Sequence, residues 1–332
     1  MLHSSDELFT EPQKMMENVS VASMGINPSA RDLHLGHYLT MFQFVQSVAA
    51  NKHTEGVCFI DDREFDLGPK GFDTPEHFQA PVRAVTNAVM NKAIEALDMF
   101  AAETKVPGVR KRMYVRSMSD WLTDKQEDGR KKGEDLYTLI YNNRAAILKA
   151  FYVGHHENSP APLMRPFCPE CGAGNRVENQ IIETRNALVS TCTNRVCAKR
   201  GETYVASPTI GDRNWSMFYA ADPLRDVLFS LKSSAKVMHV FGGDYGLPWG
   251  APMTPVRKWM PEKRQGPSKA TRLTELIPKI APDAQVDHYV GPIITRNGKK
   301  LAKSNGDRVS SIPTVDLLRS FLESGSSEVK IT

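Results

Sequence analysis

The sequence predicts an α/β fold on a mainly parallel sheet, interrupted by a zinc ribbon. Two observations carry this. Apolar runs at Val19–Gly25 (VSVASMG) and Gly56–Asp62 (GVCFIDD) alternate with helical periodicities over Leu33–Lys52 and from Thr74 onward. Strand, helix, strand, helix is the pattern of a parallel sheet. Cys168-Pro-Glu-Cys171 and Cys192-Thr-Asn-Arg-Val-Cys197 stand 20 residues apart. That is the spacing of two knuckles closing one tetrahedral Zn²⁺ site.

The elements follow in order. Val19–Gly25 reads as a short buried strand, with a loop over 26–32. Leu35, Leu39, Phe42, Val45 and Val48 recur at helical spacing through Leu33–Lys52. Gly56–Asp62 reads as a buried parallel strand whose C-terminal acids carry function. Thr74 is an N-cap and Pro75 a first helical residue, followed by Val82, Val85, Val89, Ala93 and Leu97. Residues 134–152 read as helix, and the Pro-rich 157–166 as a boundary. Asp222-Pro223 begins a helix that reaches Leu231. Val237–Phe241 is a strand ending in Gly242-Gly243-Asp244. Val290–Thr295 and Lys300–Lys303 flank Asn297-Gly298 as a hairpin, and the tail from Gly325 reads as loose.

With 41% hydrophobic and 24% charged residues, the chain is neither disordered nor fibrous. The opening Met1–Thr10 is polar and acidic, unlike a secretory signal. No apolar stretch nears the roughly 20 residues of a membrane span. The expectation is a cytoplasmic protein without a membrane partner, where paired cysteines bind metal rather than form disulfides. Cys58 reads as core. The net charge of +4 permits a polyanionic partner. Basic residues cluster at Lys105–Arg116, Arg130–Lys132, Arg195–Arg200 and Arg257–Arg272, although any one cluster also suits a solvated face.

Two motifs handle phosphate. Gly25-Ile-Asn27-Pro-Ser29-Ala-Arg-Asp-Leu-His34-Leu-Gly36-His37 lies between a strand and a helix, where free N–H groups and the helix dipole face an anion. His34 and His37 share one face of the helix start, and Gly36 permits close approach of a nucleotide. Gly298-Lys299-Lys300-Leu-Ala-Lys303-Ser304, beside the hairpin, offers mobile ammonium groups to a triphosphate.

The early HLGH and the late KLAKS together resemble the paired signatures of class I aminoacyl-tRNA synthetases. The resemblance is most like the class I lysyl-tRNA synthetase and spans roughly residues 19–310. It rests on the Gly-Ile-Asn-Pro-Ser opening, Asp61-Asp62-Arg63, the cysteine insertion, Gly242-Gly243-Asp244-Tyr245 and the lysine-serine motif. It implies a Rossmann-like parallel sheet of the HIGH/KMSKS nucleotidyltransferase type. It further implies a catalytic domain divided into 1–155 and 211–325 around a zinc ribbon at 156–210.

By this resemblance His34, His37, Lys300 and Lys303 act in catalysis. Gly25, Asn27, Ser29, Gly36, Gly242, Asp244 and Ser304 join His34, His37 and Lys303 in binding ATP. Asp61, Asp62, Tyr219, Asp222 and Tyr245 line the amino-acid pocket, and Cys168, Cys171, Cys192 and Cys197 hold Zn²⁺. The expected reaction forms an aminoacyl-adenylate from ATP, with Mg²⁺, and transfers it to tRNA through the acceptor stem. A carboxylate nucleophile is already ionised at neutral pH. The reaction therefore needs positioning and charge stabilisation rather than a general base.

The sequence departs from the family at Leu35, Ala302, Ala30 and Tyr245, where the family favours Ile, Ser, Gly and His. No anticodon-binding domain is expected after Ser304. A partner would then supply that function, or the activated amino acid would pass to a non-tRNA acceptor. A non-enzymatic nucleic-acid binder and a pantothenate-type ligase are the remaining alternatives.

Overall fold

The structure, a computed structural model, describes residues 2–3, 12–26, 33–62, 82–151, 164–166, 168–171, 177–181, 188–195, 197–206, 215–217, 221–246, 267–292, 295–296, 299–300 and 311–323. Its centre is a wholly parallel sheet. The strands are β1 (Leu2–His3), β2 (Val21–Ile26), β3 (Glu55–Ile60), β4 (Met113–Ser117), β10 (Val237–Phe241) and β11 (Val286–Val290), ordered β1-β11-β10-β2-β3-β4. Five strands of five or six residues form its body, and β1 adds two residues at one edge.

After the one-turn helix α1 (Pro12–Met15), longer helices cover both faces. Helix α2 (Leu35–Ala50) connects β2 to β3. Helix α3 (Val82–Glu103) precedes β4 and packs on the same face, where Met24, Ile26, Cys58, Met238 and Val240 join their core. Helix α2 buries residues on nearly every side because the sheet, α3 and α9 (Val315–Glu323) all press on it. Gly56 permits the closest approach: a Cβ there would sit 2.7 Å from both Phe44 Cζ and Val48 Cγ2. The second face carries α4 (Met118–Thr123), α5 (Lys132–Asn142), α7 (Ala221–Ser233) and α8 (Lys269–Ile280). They pack on Val237, Phe59, Phe241 and Val286.

Thus β2 leads to its helix on one face, while β10 reaches β11 through α8 on the other. The strand order reverses between β2 and β10, and the crevice there is the topological switch point at which such sheets bind ligands.

Among the described residues, three small antiparallel sheets are separate from the central one. Strands β6 (Val177–Ile181), β7 (Leu188–Thr191) and β8 (Thr203–Ala206) form one, and β5 (Met164–Pro166) pairs with β9 (Trp215–Met217). Thr295–Arg296 pairs with Lys299–Lys300, the hairpin predicted around Asn297-Gly298.

The differences from expectation are local. The predicted helix over 134–152 is two helices, α5 and α6 (Arg144–Phe151), split at Asn143. Val290 closes a parallel strand rather than opening the hairpin arm. Strand β4 takes up the end of the basic patch Lys105–Arg116, and helix α8 the last residues of Arg257–Arg272, whose residues 257–266 lie outside the described ones. In the former patch, Arg112 Nη1 donates to Asn51 O and Thr54 O, at 2.7 and 2.6 Å, and clamps the turn between α2 and β3. Arg110 pairs with Asp98, and Arg116 with Asp124 at 2.9 Å. These three arginines serve the fold. Thr74 and Pro75 lie outside the described residues.

Candidate functional site

Strand β2 delivers Gly25 and Ile26 to the crevice, and the chain re-enters at Leu33 before α2. His34 is the extended N-cap, at φ −104° and ψ 166°. Its backbone N–H donates to His37 Nδ1 at 3.2 Å. An accepting Nδ1 places the proton of a neutral His37 on Nε2. The two rings stand 3.7 Å apart between centroids, tilted by 35°. Gly36 has a nearer reason than nucleotide approach: a Cβ there would lie 2.9 Å from His34 Cε1. The missing side chain makes room for the His34 ring against the helix start.

Across the crevice, β10 ends in Phe241 and Gly242, followed by the single helical turn Gly243–Gly246. A Cβ on Gly242 would sit 3.5 Å from Thr40 Oγ1, and that hydroxyl donates to Gly36 O at 2.9 Å. The fold therefore brings the His-x-Gly-His start and the Gly242 turn together. Tyr245 stacks on Phe241, 4.0 Å between centroids and 9° from parallel.

At the end of β3, Asp61 N donates to Ile26 O at 2.9 Å, so Asp61 adjoins the end of β2. Asp62 Oδ1 accepts from Ser119 N at 2.9 Å and ties down the start of α4. This gives Asp62 a structural task. Asn27, Ser29, Tyr219, Lys303 and Ser304 lie outside the described residues. Asp222, Asp244 and Lys300 are placed in α7, the Gly243–Gly246 turn and the hairpin, without a description of their side chains.

Beneath the crevice runs a buried polar row that sequence reasoning missed. Register aligns Ser23, His239 and His288 across β2, β10 and β11. From α7, Asp226 accepts from Ser23 Oγ at 2.5 Å, pairs with His239, and accepts from Arg225 Nη2 at 3.2 Å. Arg225 and Asp226 are both fully buried, with the guanidinium 3.6 Å above the Phe59 ring.

Burial raises the Asp226 carboxyl. Arg225, His239 and the hydrogen bonds outweigh it and hold the group at about 2. Burial drives His288 the other way, to about 3, helped by the neighbouring His239. Thr274 Oγ1 donates to Ala270 O and accepts from His288 Nδ1 at 3.0 Å, a pairing that suits the neutral ring. The available signal was a histidine inside the apolar run VMHVF, next to an Arg-Asp pair at helical distance.

The four cysteines converge as predicted. Cys168, Cys171, Cys192 and Cys197 are buried, and their Sγ atoms all lie within 4.8 Å of one another. Cys168–Cys197 is 4.0 Å and Cys171–Cys192 3.8 Å, far beyond a disulfide. Zn–S bonds of about 2.3 Å in a tetrahedron require sulfurs about 3.8 Å apart, so this donor set fits zinc. Burial pushes the Cys192 and Cys197 thiols up. Metal binding must then displace their protons. Gly201, at φ +82°, turns the second knuckle, and its N–H donates to Cys192 O at 2.9 Å. Cys58 is buried in the sheet core.

No protein-family model and no curated protein matches the sequence. Among solved structures, the chain is similar to the tyrosyl-tRNA synthetase of Archaeoglobus fulgidus in complex with L-tyrosine. Identity is 14% and the TM-score 0.39, over 90% of this chain and 65% of that one. It is also similar to the tryptophanyl-tRNA synthetase of Plasmodium falciparum, with 14% identity and a TM-score of 0.27 over 46% and 34%. A C-terminally truncated mitochondrial tyrosyl-tRNA synthetase of Coccidioides posadasii gives 12% and 0.27 over 42% and 43%. The chain spans 65% or less of the length of each. Likeness this distant carries no activity over to this chain. No described helix is long and apolar enough to cross a membrane.

Proposed function

We propose that this chain activates an amino acid with ATP, forming an aminoacyl-adenylate and pyrophosphate, and passes the aminoacyl group to tRNA. The observation that supports this most is the meeting of His34 and His37 with the Gly242 turn at the switch point. In this reading the substrate carboxylate attacks the α-phosphate. Nε2 of His37, with His34 beside it, donates to phosphate oxygens as charge develops there. Gly25 and Gly242 line the crevice, and Lys300, Lys303 and Ser304 follow the departing pyrophosphate. Asn27, Ser29 and Asp244 complete the nucleotide contacts, and Mg²⁺ accompanies the nucleotide.

Asp61, Tyr219, Asp222 and Tyr245 are the proposed amino-acid contacts, with Asp62 as their support. Cys168, Cys171, Cys192 and Cys197 hold a structural Zn²⁺, and residues 156–210 form a ribbon between catalytic segments 1–155 and 211–325. A cytoplasmic setting and a partner that reads the anticodon belong to the same proposal. The sequence feature favouring a second acceptor, a small amine or thiol, is the altered Gly242-Gly243-Asp244-Tyr245 loop.

The test is amino-acid-dependent exchange of pyrophosphate into ATP, with each amino acid singly, with and without total tRNA. We expect exchange with one amino acid. His37→Ala should lower it by about 10²–10³-fold, the usual cost of one oxyanion donor, with zinc content and melting temperature unchanged. No exchange under any condition would refute the proposal. Charging of tRNA that survives in low salt and weakens with salt distinguishes the two acceptors.

A further inference from the structure

The parallel sheet ends at β4, and β3 separates that edge from the strand beside the switch point. Register sets Tyr114 beside Val57 and Arg116 beside Phe59, so these four residues share one face of the sheet. Helices α4 and α7 cover that face in part. Trp121 of α4 meets the Phe59 ring edge-on at 6.2 Å and stacks on Phe229 of α7 at 6.4 Å between centroids. A cavity of about 440 Å³ remains beside them, and its lining includes Val57, Phe59, Tyr114, Arg116, Trp121 and Phe229. Tyr114 is 49% exposed.

A single exposed ring is ordinary on a protein surface. This one borders an apolar cavity of the size that takes up ligands. Parallel sheets are normally covered on both faces, and exposed edges are normally guarded by charge. Stability of the fold therefore gives no reason for an open aromatic here. The charge beside the cavity points to what covers it. Arg116 and Lys132 bond the same carboxylate, Asp124, at 2.9 and 2.8 Å, so two cations share one acid. Lys132 Nζ also stands 5.9 Å from the Trp121 ring. Aromatic surface next to excess positive charge is how proteins hold unpaired bases. The ring stacks on the base, and the cations meet its phosphates. A peptide strand added to the edge would use the apolar surface and leave the charge without a purpose.

We propose that this cavity receives an unpaired base of the RNA, stacked on Tyr114, with the flanking phosphates beside Arg116 and Lys132. The inference rests on the tRNA half of the proposed function, and it gives β4 a contact remote from the adenylation crevice.

The experiment is fluorescence anisotropy of the zinc-bound full chain with a short labelled oligouridylate and, separately, with an RNA duplex of equal length. Tyr114→Ala should weaken the oligouridylate at least about fivefold, the cost of losing one stacked base, and leave the duplex unchanged. Tyr114→Phe should restore binding. Lys132→Gln should weaken both RNAs and flatten their salt dependence. Pyrophosphate exchange, zinc content and melting temperature should match the parent in each variant. Unchanged oligouridylate affinity in Tyr114→Ala, or an equal loss on the duplex, overturns the proposal. So does a concentration-dependent dimer that Tyr114→Ala dissolves, which would give the surface to a second copy of the chain. Should the proposal fail while the parent still charges tRNA, the tRNA reading survives without this cavity. A parent chain that binds neither oligouridylate nor total tRNA overturns both, and pyrophosphate exchange then decides adenylation by itself.

Discussion

At the switch point, Gly25, His34 and Gly242 are set in place by parallel strands and by helices packed on both faces. Phe44, Val48, Met238 and Val240 hold one face, and Val237, Phe241 and Leu273 the other. The cysteine knot has no comparable support. Among the described residues its core is the four cysteines themselves, with Tyr204 packed against them beside a three-stranded sheet. One site is built by burial of apolar surface, and the other by side chains that still require a metal. The two should therefore fail separately.

The largest effect should come from breaking the knot. Structural zinc in small domains contributes about 10–16 kcal/mol of apparent binding free energy. Cys168→Ser or strong chelation should remove bound zinc and unfold β6–β8, leaving the parallel sheet intact. Elemental analysis together with amide hydrogen exchange resolved by segment would read this out. Loss of protection in β2 and β10 along with the ribbon would show that the two regions are one cooperative unit.

The complementary break lies in the buried row. Asp226→Ala leaves the fully buried Arg225 without the carboxylate it bonds at 3.2 Å. Removing one partner of such a pair costs about 3–5 kcal/mol. The main unfolding transition in urea should shift accordingly while the zinc content stays the same. A shift below 1 kcal/mol would mean that the row is not what ties α7 to β2 and β10.

A smaller effect sharpens the same contrast through pH. His288 titrates near 3 when folded against 6.5 ordinarily, so the unfolded chain takes a proton that the folded chain refuses. The penalty is absent above 6.5 and grows as pH falls toward 3. Asp226 acts in the same direction lower down. Its stabilisation is present above 3.8 and disappears as pH falls through about 2. His288→Leu should flatten the fall of stability between pH 6 and 4 by about 1.4 kcal/mol per unit, measured by urea unfolding at each pH. An unchanged slope would place the acid sensitivity in the cysteines or elsewhere.

Much of the fold was legible in the chain. Val237–Phe241 was read to the residue. Strands β2 and β3 and helix α2 were placed within two or three residues, because buried parallel strands are unbroken apolar runs and α2 is apolar on nearly every side. Strand β11 escaped because VDHYV carries an acid and a histidine, and β4 because it is short and follows Arg110, Lys111 and Arg112. Their polar side chains meet partners on neighbouring helices, such as Thr274 for His288 and Asp124 for Arg116.

The site divides along the same line. Two cysteine pairs and a His-x-Gly-His after a strand are local patterns, visible in spacing along the chain. The sequence by itself therefore determined the parallel sheet, the cysteine knot and the helix start at His34. Only the tertiary structure could decide that Gly36 makes room for His34, that Asp62 serves α4, and that Arg110, Arg112 and Arg116 serve the fold. It also decided that Ser23, Asp226 and His239 form one buried unit. Each of these depends on which residue arrives opposite which, and that is fixed by strand order and helix packing, not by neighbours along the chain.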